Sequence, residues 1–273
     1  SDEVLLFAAL AFCQDGDEIL HANHGFEMYS IVSKVVGAVP KKIKEDVNFN
    51  LNIENLIDQT NDATKVIYIA SPNNPTGTYL SRDQLVKLMN SISKNIIVVI
   101  DGAYVEYVQK DDYDKGFSLT DEYENIILTR TFSKTYGLAA LRVGWCYTSQ
   151  KIADIINKIK PPFNTTTISQ SLAIKALEDK EHIENSVKLN SEIKDWFEKE
   201  LKLLNIKTRQ TEGNFTLIET SEEEAEKISN HLMNDGIIIR RLNSYNLPNF
   251  LRISIGTKEE MNLTVESLKK FNV

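Results

Sequence analysis

Residues 96–101 read Ile-Ile-Val-Val-Ile-Asp, five branched apolar side chains followed by a carboxylate. β-Branched residues favour extended backbone, and an apolar run without alternation predicts a strand that is buried on both faces. A similar run lies at residues 65–70, and residues 81–93 between the two have helical periodicity after a serine N-cap. Buried strands that alternate with helices indicate an α/β fold with a mainly parallel sheet covered on both faces.

The same alternation continues on either side of this stretch. The chain opens with Ser1-Asp2-Glu3 before an apolar helical pattern, which is how an internal helix begins. A further helix is predicted at residues 26–36, and further strands are predicted at residues 17–21, 125–130 and 142–148.

The pattern changes near residue 160, where Pro161 and Pro162 interrupt the chain. Helices are predicted at residues 169–177, 181–204, 221–234 and 258–271, and strands at residues 214–219, 237–241 and 250–255. We therefore expect a large domain at residues 1–180 and a smaller α+β domain at residues 181–273, hinged on the long helix.

Composition excludes several classes of protein. The formal charge is -8 and the basic residues are scattered, so we expect no nucleic-acid partner. No apolar run approaches the ~20 residues that a membrane helix needs, so we expect no membrane association. The two cysteines, Cys13 and Cys146, have no metal-ligand spacing, which predicts reduced thiols, no metal site and a cytoplasmic protein.

Polar groups cluster where predicted strands end, which is where open α/β sheets bind ligands. The first cluster, Ser71-Pro-Asn-Asn-Pro-Thr-Gly77, follows the strand at residues 65–70. Its prolines and glycine fix a rigid turn that could present the asparagine side chains as donors. A tight turn without any further role is the alternative.

The second cluster, Asp101-Gly-Ala-Tyr104-Val-Glu106, follows the most apolar strand. A carboxylate at the end of a buried strand is costly unless a cation accompanies it, and a protonated pyridine nitrogen would be such a partner. Tyr104 offers a phenol donor. Asp101 could instead cap a helix or a turn.

The third cluster is Thr131-Phe-Ser-Lys134-Thr-Tyr-Gly-Leu-Ala-Ala-Leu-Arg142-Val-Gly144. Hydroxyl groups together with an arginine suit a phosphate. Lys134, if desolvated beside other cations, would have a lowered pKa and become a nucleophile for a carbonyl group. A lone lysine is usually a surface residue, but these neighbours argue against that interpretation.

The fourth cluster consists of Arg240 and Arg252, on two predicted strands near the C-terminus. Two fixed guanidinium groups could clamp the anionic groups of a substrate. Taken alone, each arginine is better explained by a surface salt bridge, and the adjacent Arg241 could simply be solvated.

Together the four clusters resemble the fold-type I pyridoxal phosphate (PLP) aminotransferases and, more narrowly, the histidinol-phosphate aminotransferase family. The resemblance rests on residues 131–144, with support from Pro162-Phe-Asn164, Ser169-Gln170, Gly236-Ile-Ile-Ile-Arg240 and Leu251-Arg-Ile-Ser-Ile-Gly-Thr257. It covers essentially the whole chain. It implies a sheet of the seven-stranded type in the large domain.

The resemblance also implies roles around the cofactor ring. Lys134 would carry PLP covalently, and Asp101 would keep the pyridine nitrogen protonated so that the ring withdraws electrons. Asn74 and Tyr104 would bind the phenolic oxygen. Phe26 would stack on the ring, although without the resemblance it is an ordinary core residue.

Further roles concern the phosphate of the cofactor. Thr131, Ser133 and Arg142 would hold it, and the helix start at Ser1 and Asp2 would add its backbone amides, as helix N-termini do for anions.

The implied reaction is a transamination with Lys134 as general base and acid. Histidinol phosphate and 2-oxoglutarate would become imidazole acetol phosphate and glutamate, with Arg252 on the substrate carboxylate and Arg240 on its anionic end. The family also implies a homodimer with active sites at the subunit interface.

The sequence departs from the family at its start. Members carry roughly eighty further residues ahead of the Ser-Asp-Glu segment, among them an arm over the substrate and a tyrosine that reaches the neighbouring subunit's PLP phosphate. Without that segment we would expect weak PLP retention, poor activity and a compromised dimer.

Other activities fit the same residues. An aromatic or broad-range aminotransferase would differ only in the substrate clamp, and a threonine-phosphate decarboxylase would also bind a phosphorylated substrate. A non-catalytic effector-binding module is a remote alternative. A nucleotide-binding Rossmann protein is disfavoured because no Gly-x-Gly-x-x-Gly turn follows the first strand.

Overall fold

The computed structural model describes residues 1–271, which contain two sheets. The strands of the larger sheet are β1 (Glu18–Ala22), β2 (Val39–Ile43), β3 (Thr64–Ala70), β4 (Ile97–Asp101), β5 (Ile126–Thr131) and β6 (Gly144–Thr148). Their order is β2-β1-β3-β4-β5-β6. The first five are parallel, whereas β6 runs antiparallel to β5.

Helices cover both faces of this sheet. They are α1 (Asp2–Phe12), α2 (Glu27–Val35), α3 (Ile53–Asp58), α4 (Arg82–Ser91), α5 (Phe117–Glu122), α6 (Gln150–Ile159) and α7 (Thr167–Glu178). Side chains of β4 alternate between two apolar cores: Val98 and Ile100 pack beneath α3 and α4, whereas Ile97 and Val99 pack beneath α1 and α2. This two-sided burial explains why the sequence of β4 is apolar throughout.

Strand β6 runs antiparallel to β5 because the connection between them is short. Residues 132–143 leave the end of β5 and return at once, so that Thr131 pairs with Gly144. A parallel return would need a crossover long enough to span the sheet. Both ends of the connection therefore lie at the same edge of the sheet.

The smaller sheet is built by the C-terminal part of the chain. Its elements are α8 (Lys180–Leu203), β7 (Lys207–Arg209), β8 (Phe215–Glu219), α9 (Glu222–Asn234), β9 (Arg240–Leu242), β10 (Leu247–Ser254) and α10 (Lys258–Phe271). The strand order is β7-β8-β10-β9, and each neighbouring pair is antiparallel. A capping box of Ser221 and Glu224 begins α9, as its sequence predicts.

The two faces of the small sheet have different partners. One face packs on α8, α9 and α10 around Phe197 and Leu201. The other face forms a small core that receives Phe49 from the β2–α3 connection, and the Phe49 ring meets Phe250 edge-on at 5.3 Å. The amide of Glu212 also donates to the carbonyl of Gly77 at 2.8 Å. The small sheet is thereby attached to the turn that follows β3.

Gly77 is required at this attachment. Its φ is +76°, and a β-carbon would collide with the side chain and backbone of Thr211. Only glycine adopts this backbone conformation without strain and also leaves space for such a close approach.

The predicted α/β architecture with a mainly parallel sheet is confirmed. The described chain contributes six strands to that sheet, whereas the resemblance implies seven. The strand predicted at residues 237–241 begins later, at Arg240, and β2 was not predicted because Pro40 and two lysines interrupt its apolar character. The division at residues 180 and 181 stays a proposal. No helix within residues 1–271 is long and apolar enough to cross a bilayer.

The helix face beneath the small sheet allows a stability test. Leu201 is fully buried, whereas Leu203 on the same helix is 76% exposed. We expect Leu201→Ala to lower the free energy of unfolding by about 2–5 kcal/mol because it leaves a cavity, and Leu203→Ala to change it by less than about 0.5 kcal/mol. Urea denaturation followed by circular dichroism measures both. Equal losses in the two variants would contradict the packing described here.

Candidate active site

One cleft of about 260 Å³ opens where β3, β4 and β5 end. Every residue that the sequence assigned to the cofactor lines it, namely Ser1, Asp2, Phe26, Asn74, Asp101, Tyr104, Thr131, Ser133, Lys134 and Arg142. These residues come from five separate segments of the chain, so their convergence is a property of the fold. The role of each residue stays a prediction.

Asp101 ends β4 at the floor of the cleft and is 5% exposed. The hydroxyl of Tyr29 donates to its Oδ2 at 2.9 Å, and the hydroxyl of Thr129 donates to its Oδ1 at 3.0 Å. Burial raises the pKa of Asp101, while the two hydrogen bonds act to lower it. Both donors are neutral, so a cationic partner would add to them. The contacts show that Asp101 is not a helix or turn cap.

Tyr29 is a site residue that the sequence reasoning missed. It lies on α2, three residues after Phe26, and its ring stacks on Tyr68 at 4.9 Å. The Phe26 ring meets it edge-on at 5.9 Å. The i, i+3 spacing places both rings on one face of the helix. This spacing was the one feature of the sequence that could have indicated that Tyr29 lies near the site. From the sequence alone, Tyr29 would still be interpreted as an aromatic residue of the core, because nothing in the sequence indicates that its hydroxyl reaches Asp101.

Lys134 lies in the connection between β5 and β6, so its side chain projects into the cleft. Its Nζ lies 5.3 Å from the centroid of the Tyr104 ring. Solvent reaches the side chain through the cleft mouth, yet desolvation by the surrounding protein lowers the pKa of Lys134, and Arg252 lowers it further. A lysine in these surroundings has a larger neutral fraction than an isolated one, and the neutral amine is the nucleophilic form.

Hydroxyl and guanidinium groups gather around Arg142 in the cleft. Arg142 lies 3.5 Å from the Ser133 hydroxyl and 3.5 Å from the Asp2 carboxylate, and it donates to the carbonyl of Ala139 at 2.9 Å. Its φ of 52° is unusual for a side chain of this size, which indicates that the surrounding loop fixes its position. The start of α1 faces the same space. Such a group of donors suits a phosphate.

The two asparagines in the turn after β3 make different contacts. Asn73 is buried and donates to the carbonyl of His24 at 3.0 Å, so it anchors the segment that carries Phe26. Asn74 faces the cleft and accepts a hydrogen bond from Arg252. The prediction that both asparagines could serve as donors to a ligand therefore holds geometrically for Asn74 alone.

Arg240 and Arg252 lie beside the cleft on the small sheet, where they face each other across β9 and β10. Arg252 lies over the Phe215 ring at 5.1 Å, and within residues 1–271 its buried Nε has no hydrogen-bond acceptor. Arg240 forms an ion pair with Glu27 at 3.6 Å. The adjacent Arg241, expected to be solvated, is instead partly buried and lies 3.7 Å from Glu226.

The groups of the cleft fit one type of ligand. The Asp101 carboxylate suits a cationic ring nitrogen, the Lys134 amine suits an aldehyde carbon, and the Arg142 end suits a phosphate. The unused Nε of Arg252 suits a carboxylate placed beside Lys134.

Comparisons with known proteins agree with this chemistry. The sequence profile described as aminotransferase class I and II matches residues 1–268. The histidinol-phosphate aminotransferase of Pelagibacter ubique is 40% identical over 276 residues, which cover 100% of this chain and 76% of that protein. The protein of the same name from Roseobacter denitrificans is 36% identical over 272 residues, which cover 99% of this chain and 75% of that protein.

A solved structure shares the fold. The crystal structure of histidinol-phosphate aminotransferase from Sinorhizobium meliloti, in complex with pyridoxal-5'-phosphate, superposes with a TM-score of 0.91 at 23% identity. The superposition covers 99% of this chain and 75% of that one, and it confirms the predicted fold class. Together with the profile match and the two relatives, it shows that the chain belongs to the class I and II aminotransferase family.

Proposed function

We propose that the protein is a PLP-dependent transaminase that converts histidinol phosphate and 2-oxoglutarate to imidazole acetol phosphate and glutamate. One observation carries the proposal: ten residues assigned to the cofactor from sequence line a single cleft around Lys134. The names of the 36–40% identical relatives support the substrate pair.

The cleft residues would share the binding of PLP. Bound PLP supplies an electron-withdrawing ring that stabilises negative charge on the substrate α-carbon. Asp101 would hold the ring nitrogen in its protonated form, and Asn74 and Tyr104 would bind the phenolic oxygen. Phe26 would cover one face of the ring.

The phosphate of PLP would lie at the other end of the cleft. Arg142 and the hydroxyls of Thr131 and Ser133 would bind it, together with backbone amides at the start of α1 near Ser1 and Asp2. Arg142 would then exchange its contact with the Asp2 carboxylate for the phosphate.

Lys134 would also move the proton. Its neutral amine would act as general base on the α-proton of the bound substrate, and the resulting ammonium would act as general acid and return a proton. The lowered pKa of Lys134 favours the neutral form that this step requires. Arg252 would bind the α-carboxylate of glutamate or 2-oxoglutarate through its free Nε, and Arg240 would bind the phosphate of histidinol phosphate or the side-chain carboxylate of the other substrate pair.

Two related activities fit the same cofactor site. A broad-range aromatic aminotransferase would prefer phenylalanine, and a decarboxylase would release carbon dioxide from threonine phosphate. Turnover of the PLP-loaded protein on histidinol phosphate, phenylalanine and threonine phosphate separates the three. We expect the highest kcat/KM for histidinol phosphate, and a preference for either other substrate would replace the proposed one.

Dimer formation and a cytoplasmic location also belong to the proposal. Both rest on the resemblance and the composition. Light scattering of the PLP-loaded protein would measure the predicted dimer.

The role of Lys134 can be tested directly. We expect borohydride reduction of the PLP-loaded protein to attach the cofactor to Lys134, as mapped by mass spectrometry of peptides. Lys134→Arg should lower kcat by about 10³-fold or more, because a guanidinium keeps the charge but cannot accept a proton near neutral pH. Lys175→Arg, at an exposed lysine of α7, is the control and should keep full activity. Attachment of the cofactor to another lysine would refute the proposal.

Tyr29 provides a test of the floor of the cleft. Because its hydrogen bond acts to lower the pKa of Asp101, Tyr29→Phe should raise that pKa. Less Asp101 is then ionised at a given pH, so the acid limb of the kcat profile should move to higher pH, by up to about one unit. We expect kcat at neutral pH to fall by about 3- to 10-fold, which matches the net contribution of about 0.5–1.5 kcal/mol of a typical hydrogen bond.

Tyr68→Phe is the matched control for this experiment. The Tyr68 ring stacks on Tyr29, but its hydroxyl donates to the carbonyl of Leu5. Its loss should lower stability and leave the acid limb in place. An equal shift in both variants would show that Tyr29 acts through packing alone.

A further inference from the structure

An ion pair joins the edge of the cleft to the small sheet. Glu27 is the first residue of α2 and follows Phe26, which lines the cleft. Its Oε2 lies 3.6 Å from Nη2 of Arg240, the first residue of β9. The side chains of Arg240 and Glu27 are 54% and 35% exposed, so water reaches the pair and either partner can exchange.

The surroundings of this pair carry an excess of positive charge. Arg240 and Arg252 are direct cross-strand neighbours, so their guanidinium groups share one face of the small sheet. Arg252 donates to the neutral Oδ1 of Asn74, whereas Arg240 is paired with Glu27. Glu27 therefore occupies the guanidinium group that would receive an anion.

Tyr245 lies in the small core on the same face of the small sheet as the two arginines, and it is 6% exposed. Burial raises its pKa, Glu27 and Tyr104 raise it further, and Arg252 and Arg240 act in the opposite direction. The charges of Glu27 and of both arginines therefore act on the same phenol.

Helix stabilisation is the simpler explanation for Glu27. An acidic residue in the first turn of a helix interacts favourably with the backbone dipoles, and α2 has no side-chain N-cap. That explanation predicts an effect on stability alone. It does not account for the contact with an arginine of the other sheet.

We propose that Glu27 competes with the anionic end of the substrate for Arg240 and thereby sets how strongly the site favours anionic over neutral substrates. The inference rests on the proposed role of Arg240. A substrate with a phosphate or a side-chain carboxylate must displace Glu27 before it binds Arg240. A substrate with a neutral side chain leaves the pair intact.

The expected size of the effect follows from the exposure of the pair. We expect the loss of an ion pair that is exposed to solvent to change the dissociation constant of a competing anion by about 2- to 5-fold. Salt screens it, so the effect should shrink as the ionic strength rises.

Steady-state kinetics of the PLP-loaded protein test this competition. At low ionic strength, Glu27→Gln should lower KM for histidinol phosphate and for glutamate by about 2- to 5-fold and leave KM for phenylalanine unchanged. Glu226→Gln is the control, because Glu226 pairs at 3.7 Å with Arg241, the neighbour of Arg240. It should change none of the three values.

Direct binding gives a second measurement. Glutarate has two carboxylates but no amino or keto group, so its calorimetric titration reports anion binding without turnover. Glu27→Gln should tighten glutarate binding by the same factor, and Arg240→Gln should weaken it.

The possible results distinguish the anion-binding role of Arg240 from the competition by Glu27. If Arg240→Gln leaves glutarate binding and all KM values unchanged, Arg240 does not bind the anion and its proposed role fails. If Arg240→Gln weakens binding but Glu27→Gln has no effect, or alters all three substrates equally, the competition by Glu27 is refuted while the role of Arg240 stands.

Discussion

The structure depends on one buried carboxylate. Asp101 ends the most buried strand of the larger sheet, where its ionised form is unfavourable unless neighbouring groups stabilise it. Tyr29 and Thr129 supply hydroxyl donors from opposite sides, one from a helix above the sheet and one from the adjacent strand. These contacts fix the position of the carboxylate at the floor of the cleft. Lys134 and Arg142 line the same cleft, so the fold sets their positions relative to that carboxylate.

The three arginines in and beside the cleft have a feature in common. Each is matched by a polar group of the chain that a ligand could replace: Arg142 by Asp2, Arg252 by Asn74 and Arg240 by Glu27. Each of these contacts is either exposed to solvent or made to a neutral group. None therefore holds its arginine as firmly as a buried pair of opposite charges would. The arginines are therefore positioned in advance and remain exchangeable, which suits a site that must accept two substrates in turn.

Most of the residues that line the cleft could be predicted from the sequence because they lie at or just after the ends of strands, although their roles stay predictions. Apolar runs locate the strands, and the residue after each run then lies at a known edge of the sheet. Tyr29 and Glu27 were missed for a different reason: both lie within a helix, and their partners Asp101 and Arg240 are distant in sequence. The antiparallel direction of β6 was likewise not indicated by its apolar pattern, because direction depends on the connection that precedes the strand.

The docking of the small sheet through Gly77 has a consequence for folding. Asn74 and Arg252 meet although 178 residues separate them, so their contact closes one of the longest loops in the chain. Each sheet can form from contacts nearer in sequence, whereas the contact between Arg252 and Asn74 requires the two sheets to be docked, as they are where the amide of Glu212 donates to the carbonyl of Gly77. This contact therefore belongs to the least local part of the fold. A molecule with both sheets intact but undocked would retain its secondary structure and leave Arg252 without its place beside the cleft.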